Sequence, residues 1–509
     1  MTMAVLCVLV AHGAHAAGAP LQLDKKALVL RDANGNTAAT LPMRAKQLDV
    51  RPGLAIVIDS ATQQVQPVRV DTARGMLTRL PPLPVSGFGV ESACLFRDRQ
   101  GLDFAFIAGK DGQAEQWLLQ DDGARLVRRL SLPIDAGQCQ VDDAAHTLYV
   151  KEAGVGTWAY EADSEAPPRR RLLRQGRPAR SAPQEAIAVV VPRVQTEPVA
   201  RLGDVADDPA IWVHPTDPAR SRVLGTNKKQ GLMVYDMAGR QTQFLETGRV
   251  NNVDLRQGVR FDGQLFDLAV ASQRDDNLVV LYGIDPDGSV RELTRFATGL
   301  DQLYGICLYQ PAAGGLEVIV NDKGGMFRQY RLSRSGGVFE ATLARQFSLP
   351  SQPEGCVADD RQARLFIGEE KRGIWTLPAA GTSPARMALV HAVGKDLHAD
   401  VEGMAIYAGK NGNYLIVSSQ GDSSYVVLDA AAPYRVRGRF KVGFNAPAGI
   451  DGTSETDGLD VTARNLGGPF SQGMLVIQDG YKRLPDGPQN FKYVAWDDVA
   501  RALRLPDEK

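Results

Sequence analysis

From about residue 200 to residue 495 no amphipathic helical face runs longer than two turns; short β-branched runs recur instead, cut by glycine, aspartate and asparagine. Leu232–Tyr235, Leu268–Ser272, Leu278–Tyr282, Leu316–Val320, Leu365–Ile367, Tyr414–Ser418, Tyr425–Leu428 and Met474–Ile477 have this form, and only Trp496–Leu503 reads as a helix. Such punctuation predicts an all-β fold with many turns, for which 51 glycines and 29 prolines are suited. A β-sandwich and a β-propeller both satisfy the pattern.

At 509 residues the chain is too long for one ordinary domain. An internal match shows how it divides. Cys94, Lys110 and Gln116 correspond to Cys307, Lys323 and Gln329, each 213 positions on. Cys139, Asp142-Asp143 and Trp158 correspond to Cys356, Asp359-Asp360 and Trp375 at 217, and Arg44–Arg51 corresponds to Arg249–Arg256 at 205. Similar blades match one another in any repeat fold, but nearly constant offsets over three stretches favour a duplication. Residues 18–160 are thus expected to be a partial copy and 190–509 the complete domain. Residues 161–189, with Pro167-Pro168, Arg169–Arg171, Arg174, Arg177-Pro178, Arg180 and Pro183, read as a linker.

The run Met3–Val10 followed by Ala14-His15-Ala16 reads as an export signal over residues 1–17, although it lacks a basic start. No later segment offers the roughly 18 uninterrupted apolar residues of a membrane helix. The expected location is therefore secreted or periplasmic. Disulfides persist there, and Cys94, Cys139, Cys307 and Cys356 sit in matched contexts, so Cys94–Cys139 and Cys307–Cys356 are the expected pairs. Four small buried thiols are the alternative.

A net charge of −1 offers no basic excess for nucleic acid. With 59 Asp and Glu against 6 His and 5 Cys, a hard-oxygen metal site is easier to build than a zinc or redox site. Acidic motifs indeed gather between residues 206 and 458: Asp207-Asp208 before Pro-Ala-Ile-Trp, Pro-Glu354-Gly, Gly-Glu369-Glu370, Asp400-Val-Glu402-Gly, and Asp451-Gly-Thr-Ser-Glu-Thr-Asp457-Gly. Between them stand Thr-Asn-Lys228-Lys229, Gln-Arg274, Leu-Tyr304-Gly, Asp-Lys323-Gly-Gly and Ser-Ser-Gln420-Gly. Carboxylates suit a hard cation, and Lys and Arg suit phosphate.

In this order and at these separations the motifs resemble the β-propeller phytases, calcium-dependent enzymes that strip phosphates from inositol hexakisphosphate. The resemblance spans roughly residues 190–505 and implies a six-bladed β-propeller preceded by an incomplete propeller-like β domain. It further implies that Asp208, Tyr304, Glu354, Glu370, Asp400, Glu402, Gln420, Asp451 and Asp457 hold several calcium ions. Lys228, Lys229, Arg274, Lys323 and Tyr304 would grip substrate phosphates, and Glu370, Tyr304, Asp457 and Glu354 would be catalytic. The implied partner is phytate, as its calcium complex, acted on by a monomer without nucleic acid or membrane. A calcium-dependent propeller lactonase, a phosphodiesterase and a non-enzymatic binding propeller are the alternatives. Where the family continues Lys-Glu-Gly-Glu this chain has Lys323-Gly-Gly-Met326, so a peripheral calcium is expected to be lost. In the partial copy Glu91 stands opposite Tyr304, Gly137 opposite Glu354 and Ala153 opposite Glu370, which implies no chemistry there.

Overall fold

The computed structural model describes residues 20–506 apart from 25, 61, 135–138, 153–154, 167–168 and 176–186. The expected export signal, Gly137, Ala153 and residues 167–168 and 176–186 of the expected linker lie outside the described residues. The chain forms two compact units that divide between Ser181 and Ala182.

Among its described residues the C-terminal unit contains six sheets, each with an antiparallel run of consecutive strands. Their innermost strands are Ala206–Trp212, Val250–Phe261, Leu303–Tyr309, Pro353–Asp359, Val401–Ala408 and Leu459–Thr462. Each inner strand packs on the next, and the sixth packs on the first. Six separate apolar cores fill the six gaps between neighbouring blades, including one in which Val223, Met233 and Tyr235 of the first blade meet Met474, Val476 and Phe491 of the sixth. That closed ring decides between sandwich and propeller. The apolar residues of each inner strand alternate between two interfaces, so no inner strand has a solvent face to read from periodicity.

Closure uses both ends of the unit. Val194–Gln195 pairs antiparallel with Asn490–Ala495 as the outer strand of the sixth blade. Ala188–Val190 adds a parallel strand to Val436–Val442 in the fifth. The single described α-helix, Trp496–Ala502, is the one expected, and its Trp496 ring stacks on Tyr407 with centroids 3.9 Å apart.

Among its described residues the N-terminal unit has one three-stranded and three four-stranded sheets, Leu21–Pro42, Ala45–Arg79, Ser92–Ser131 and Gln140–Gln175, with three cores between them. Its fourth sheet corrects the linker reading: Arg170–Gln175 pairs with Gly156–Glu161 as an outer strand. Interactions recur at the offsets seen in the sequence. Arg51 Nε donates to Asp143 at 2.6 Å and its Nη2 to the Leu95 carbonyl at 2.8 Å; Arg256 makes the same bonds to Asp360 and Leu308 at the same distances. Gln116 donates to Ala162 O and accepts from Arg128, as Gln329 does with Ala379 and Arg345. Blades that share only a fold have no reason to share such networks.

Cys94 bonds Cys139 and Cys307 bonds Cys356, with Cα atoms 6.0 and 5.8 Å apart, the latter joining the inner strands of blades three and four. With partners 45 and 49 positions apart in sequence, each crosslink contributes about 4 kcal/mol in the chain-entropy picture. Reduction is therefore expected to lower the melting temperature, and non-reducing peptide mapping to yield these two pairs. Four free thiols would refute the pairing.

Candidate functional site

Five of the six inner strands break register at the same point. The ladder skips between Ala206 and Pro209, Val250 and Val253, Leu303 and Ile306, Pro353 and Cys356, and Val401 and Met404. Each break leaves two residues unpaired: Asp207-Asp208, Asn251-Asn252, Tyr304-Gly305, Glu354-Gly355 and Glu402-Gly403. Such bulges re-aim side chains, and five of them around one axis converge on its end. In the sixth blade Asp457-Gly458 holds the equivalent place just before Leu459.

The ring also explains the x-Gly dipeptides. A Cβ on Gly305 would enter the carbonyl oxygen of Glu354, one on Gly355 that of Glu402, and one on Gly458 the Asp208 side chain; on Gly403 it would lie 2.7 Å from the Asp457 carbonyl. Each glycine lets one blade's bulge sit against the next.

Carboxylate oxygens of Glu354, Glu370 and Glu402, all buried, lie within 4.8 Å of one another. Asn251 Nδ2 donates to Glu354 at 2.8 Å and Gln352 Nε2 to Glu370 at 2.6 Å, while Glu402 Oε2 is buried without a hydrogen-bond partner. Burial first, then repulsion from Glu354, pushes Glu370 up to about 7. The same two causes hold Glu402 well above the usual carboxylate range. Burial raises Asp457 to about 6 against the pull of Lys228, and Asp207 lies well above its ordinary value for the same reason. Close, dry carboxylates with an oxygen left over are a hard-cation donor set, and these residues fit calcium.

The sign of the pH dependence follows. A carboxyl whose folded pKa exceeds its unfolded value stabilises the fold fully below the unfolded value, and that contribution vanishes as pH rises through the folded one. With Asp457 at about 6 and Glu370 at about 7, the melting temperature of metal-free protein is expected to fall between about pH 4 and pH 7, and added calcium to restore it. A rise over that interval in EDTA would contradict the cluster's repulsive character.

Positive charge lies alongside. Lys228 Nζ sits 2.5 Å from Asp204, 2.6 Å from Asp457 and 3.3 Å from Asp207, an internal counter-ion to the acidic ring. Lys323 Nζ lies 4.1 Å and the Arg274 guanidinium 5.6 Å from the centre of the Tyr304 ring, so both cations gather at one aromatic ring. Burial, then Arg274, lowers the Lys323 pKa. Arg274 Nη1 donates to Asn251 Oδ1 at 2.9 Å, so Asn251 links the guanidinium to the Glu354 carboxylate.

Other expected site residues divide. Gln420 Nε2 donates to Asp457 at 2.7 Å, placing both in the ring, and Asp400 pairs with Lys371 while repelling Glu370. Lys229 follows Lys228, its backbone N–H donating to Asn227 at 3.0 Å. Asp208 faces the central channel, where its Oδ2 accepts from Val253 N at 3.1 Å; Asp207 is the one that joins the ring. Asp451 meets the buried Lys492 ammonium instead of the ring carboxylates. Of the pair Glu369-Glu370, Glu369 is structural, accepting from Ser351 N and Trp375 Nε1. Sequence reasoning missed Asp207 as the ring member, together with Asn251, Gln352 and Asp204. Only Asn251-Asn252 carried a signal, standing where four other blades have x-Gly.

The N-terminal unit has no such ring among its described residues. Glu91 is paired with Lys46 at 2.9 Å instead.

Comparisons with known proteins agree with this geometry. A family model described as phytase matches residues 172–508. The chain is 39% identical over 333 residues to the 3-phytase of Bacillus subtilis (strain 168), covering 62% of this chain and 86% of that protein. The solved structure of Saccharomyces cerevisiae Sqt1 aligns over 74% of this chain and 93% of its own, at 10% identity and a TM-score of 0.30, too slight a likeness to bear on the argument.

Proposed function

This chain belongs to the phytase family, and from that membership we propose that its C-terminal propeller is a calcium-dependent phosphomonoesterase acting on phytate. The observation that carries the reading is the juxtaposition of Glu354, Glu370 and Glu402 with Lys323 and Arg274 at the Tyr304 ring. A lactonase needs no such convergence of cations, because its substrate is not a polyanion.

Glu354, Glu370, Glu402, Asp207 and Asp457 would hold calcium, with Gln420 beside Asp457. When bound, the metal supplies charge that eases deprotonation of water and neutralises phosphate oxygens. The chain's own part is positional. Lys323 and Arg274 bind phosphate oxygens against Tyr304, the latter able to do so with two N–H groups at once. Asn251 holds Arg274 and Glu354 in one frame, so substrate and metal ligands keep a common register. Gln352 orients Glu370. Burial holds the Tyr304 phenol protonated, as a donor. We further propose export, and a monomer bearing the N-terminal unit as a non-catalytic partner.

Phosphate release from calcium phytate is the direct test. Arg274→Ala and Lys323→Ala are expected to raise KM for phytate by roughly tenfold or more each, the loss of a charge-assisted contact. Their activity on a small monophosphate ester should change far less. Equal losses on both substrates would overturn the picture of several phosphates gripped together.

A further inference from the structure

We infer that Lys492 is a positioning residue: an internal cation that holds the loop Asp451–Asp457, and with it the ring carboxylate of Asp457, without any metal. The side chain lies in the strand Asn490–Ala495 of the sixth blade and is 0% exposed. Its Nζ lies 2.9 Å from Asp479 Oδ2 and 2.7 Å from Asn490 Oδ1 as hydrogen bonds, and 2.8 Å from Asp451 Oδ1 as an ion-pair contact off hydrogen-bond alignment.

Each of the two carboxylates on that ammonium also bonds across to the other's segment. Asp479 Oδ1 accepts from Ser454 N at 3.2 Å and Tyr481 N at 3.3 Å, and Gly480 N donates to Ser454 O at 2.7 Å. Asp451 Oδ2 accepts from Arg483 N. One buried cation thus clamps the loop 451–457 to the segment 479–483. At the far end of the loop, Asp457 N donates to Gln478 Oε1 at 2.9 Å, on the residue beside Asp479. Two buried carboxylates without a cation would repel and draw water, and the loop would part from its neighbour. The resemblance made Asp451 a calcium ligand; its place on Lys492 makes it a loop anchor.

The inference concerns loop order, and it rests on the phytase reading only for the kinetic readout. In wild-type protein stripped with EDTA, the amides of Ser454, Asp457 and Arg483 are expected to exchange slowly. Exchange at the rate of an unstructured segment would overturn the proposal. The variant K492Q/D451N/D479N removes all three charges together, leaving none buried alone. It is expected to fold, to bind calcium about tenfold more weakly by calorimetry, and to lose kcat in proportion with KM little changed, as when a support behind metal ligands is removed. Unchanged calcium affinity and kcat in the folded variant would show a mere brace. Should wild-type protein release no phosphate from phytate, the functional reading fails while the exchange and calorimetric results still decide this one.

Discussion

Chelation of calcium by EDTA is expected to abolish phosphate release from phytate and to lower the melting temperature of the C-terminal unit. Glu354, Glu370 and Glu402 crowd within 4.8 Å in a buried site, and Glu402 Oε2 has no other partner. Ions that bind only the folded state stabilise it by RT ln(1 + [Ca²⁺]/Kd), roughly 3–4 kcal/mol per site at 100- to 1,000-fold saturation. The unit should nevertheless stay folded, because Lys228 and Lys492 act as built-in counter-ions to Asp204, Asp207, Asp457, Asp451 and Asp479. A thermal scan with and without EDTA, paired with the activity assay, reads both effects. Identical melting temperatures and undiminished activity would end the calcium reading.

Glu354→Gln is expected to move activity and metal-free stability in opposite directions. Glu354 repels Asp207, Glu370, Glu402 and Asp457, so removing its charge relieves four neighbours and should raise the melting temperature in EDTA. The same change removes a central donor to calcium and should lower kcat by roughly 100-fold or more, on the scale of losing one preorganised electrostatic group. Glu369→Gln is the control from the adjoining strand. It weakens acceptors for Ser351 and Trp375 and should cost stability with little change in kcat. A Glu354→Gln protein that is active, or less stable than wild type in EDTA, would place the reaction elsewhere.

The strand runs, the duplication and the x-Gly dipeptides were all legible in the chain. Glycine after Tyr304, Glu354, Glu402 and Asp457 is a local requirement with a local signature, because any Cβ there collides with the next blade. Disulfide pairing was legible through the matched copies, and the family through motif order. The end of the N-terminal unit was misread because Arg170–Gln175 is dense in charge, and an outer strand facing solvent carries little of the apolar alternation that marks inner ones.

Roles within acidic pairs were not legible. Asp207 and Asp208 differ by one position in a bulge, and so by which side of the inner strand they face; one joins the carboxylate ring and the other lines the channel. Likewise Glu369 and Glu370 part into a Trp375 acceptor and a member of the metal cluster. Sequence by itself determined the all-β class, the two-fold organisation and the chemistry of the donor set, since those follow from residue type, spacing and order along the chain. Tertiary structure alone decided that the blades close in a ring, that Asn251 ties Arg274 to Glu354, and that Asp451 answers to Lys492. These pairings join residues tens of positions apart: five bulged inner strands converging on one axis bring Asn251 to Glu354, and the folding of the sixth blade brings Asp451 to Lys492.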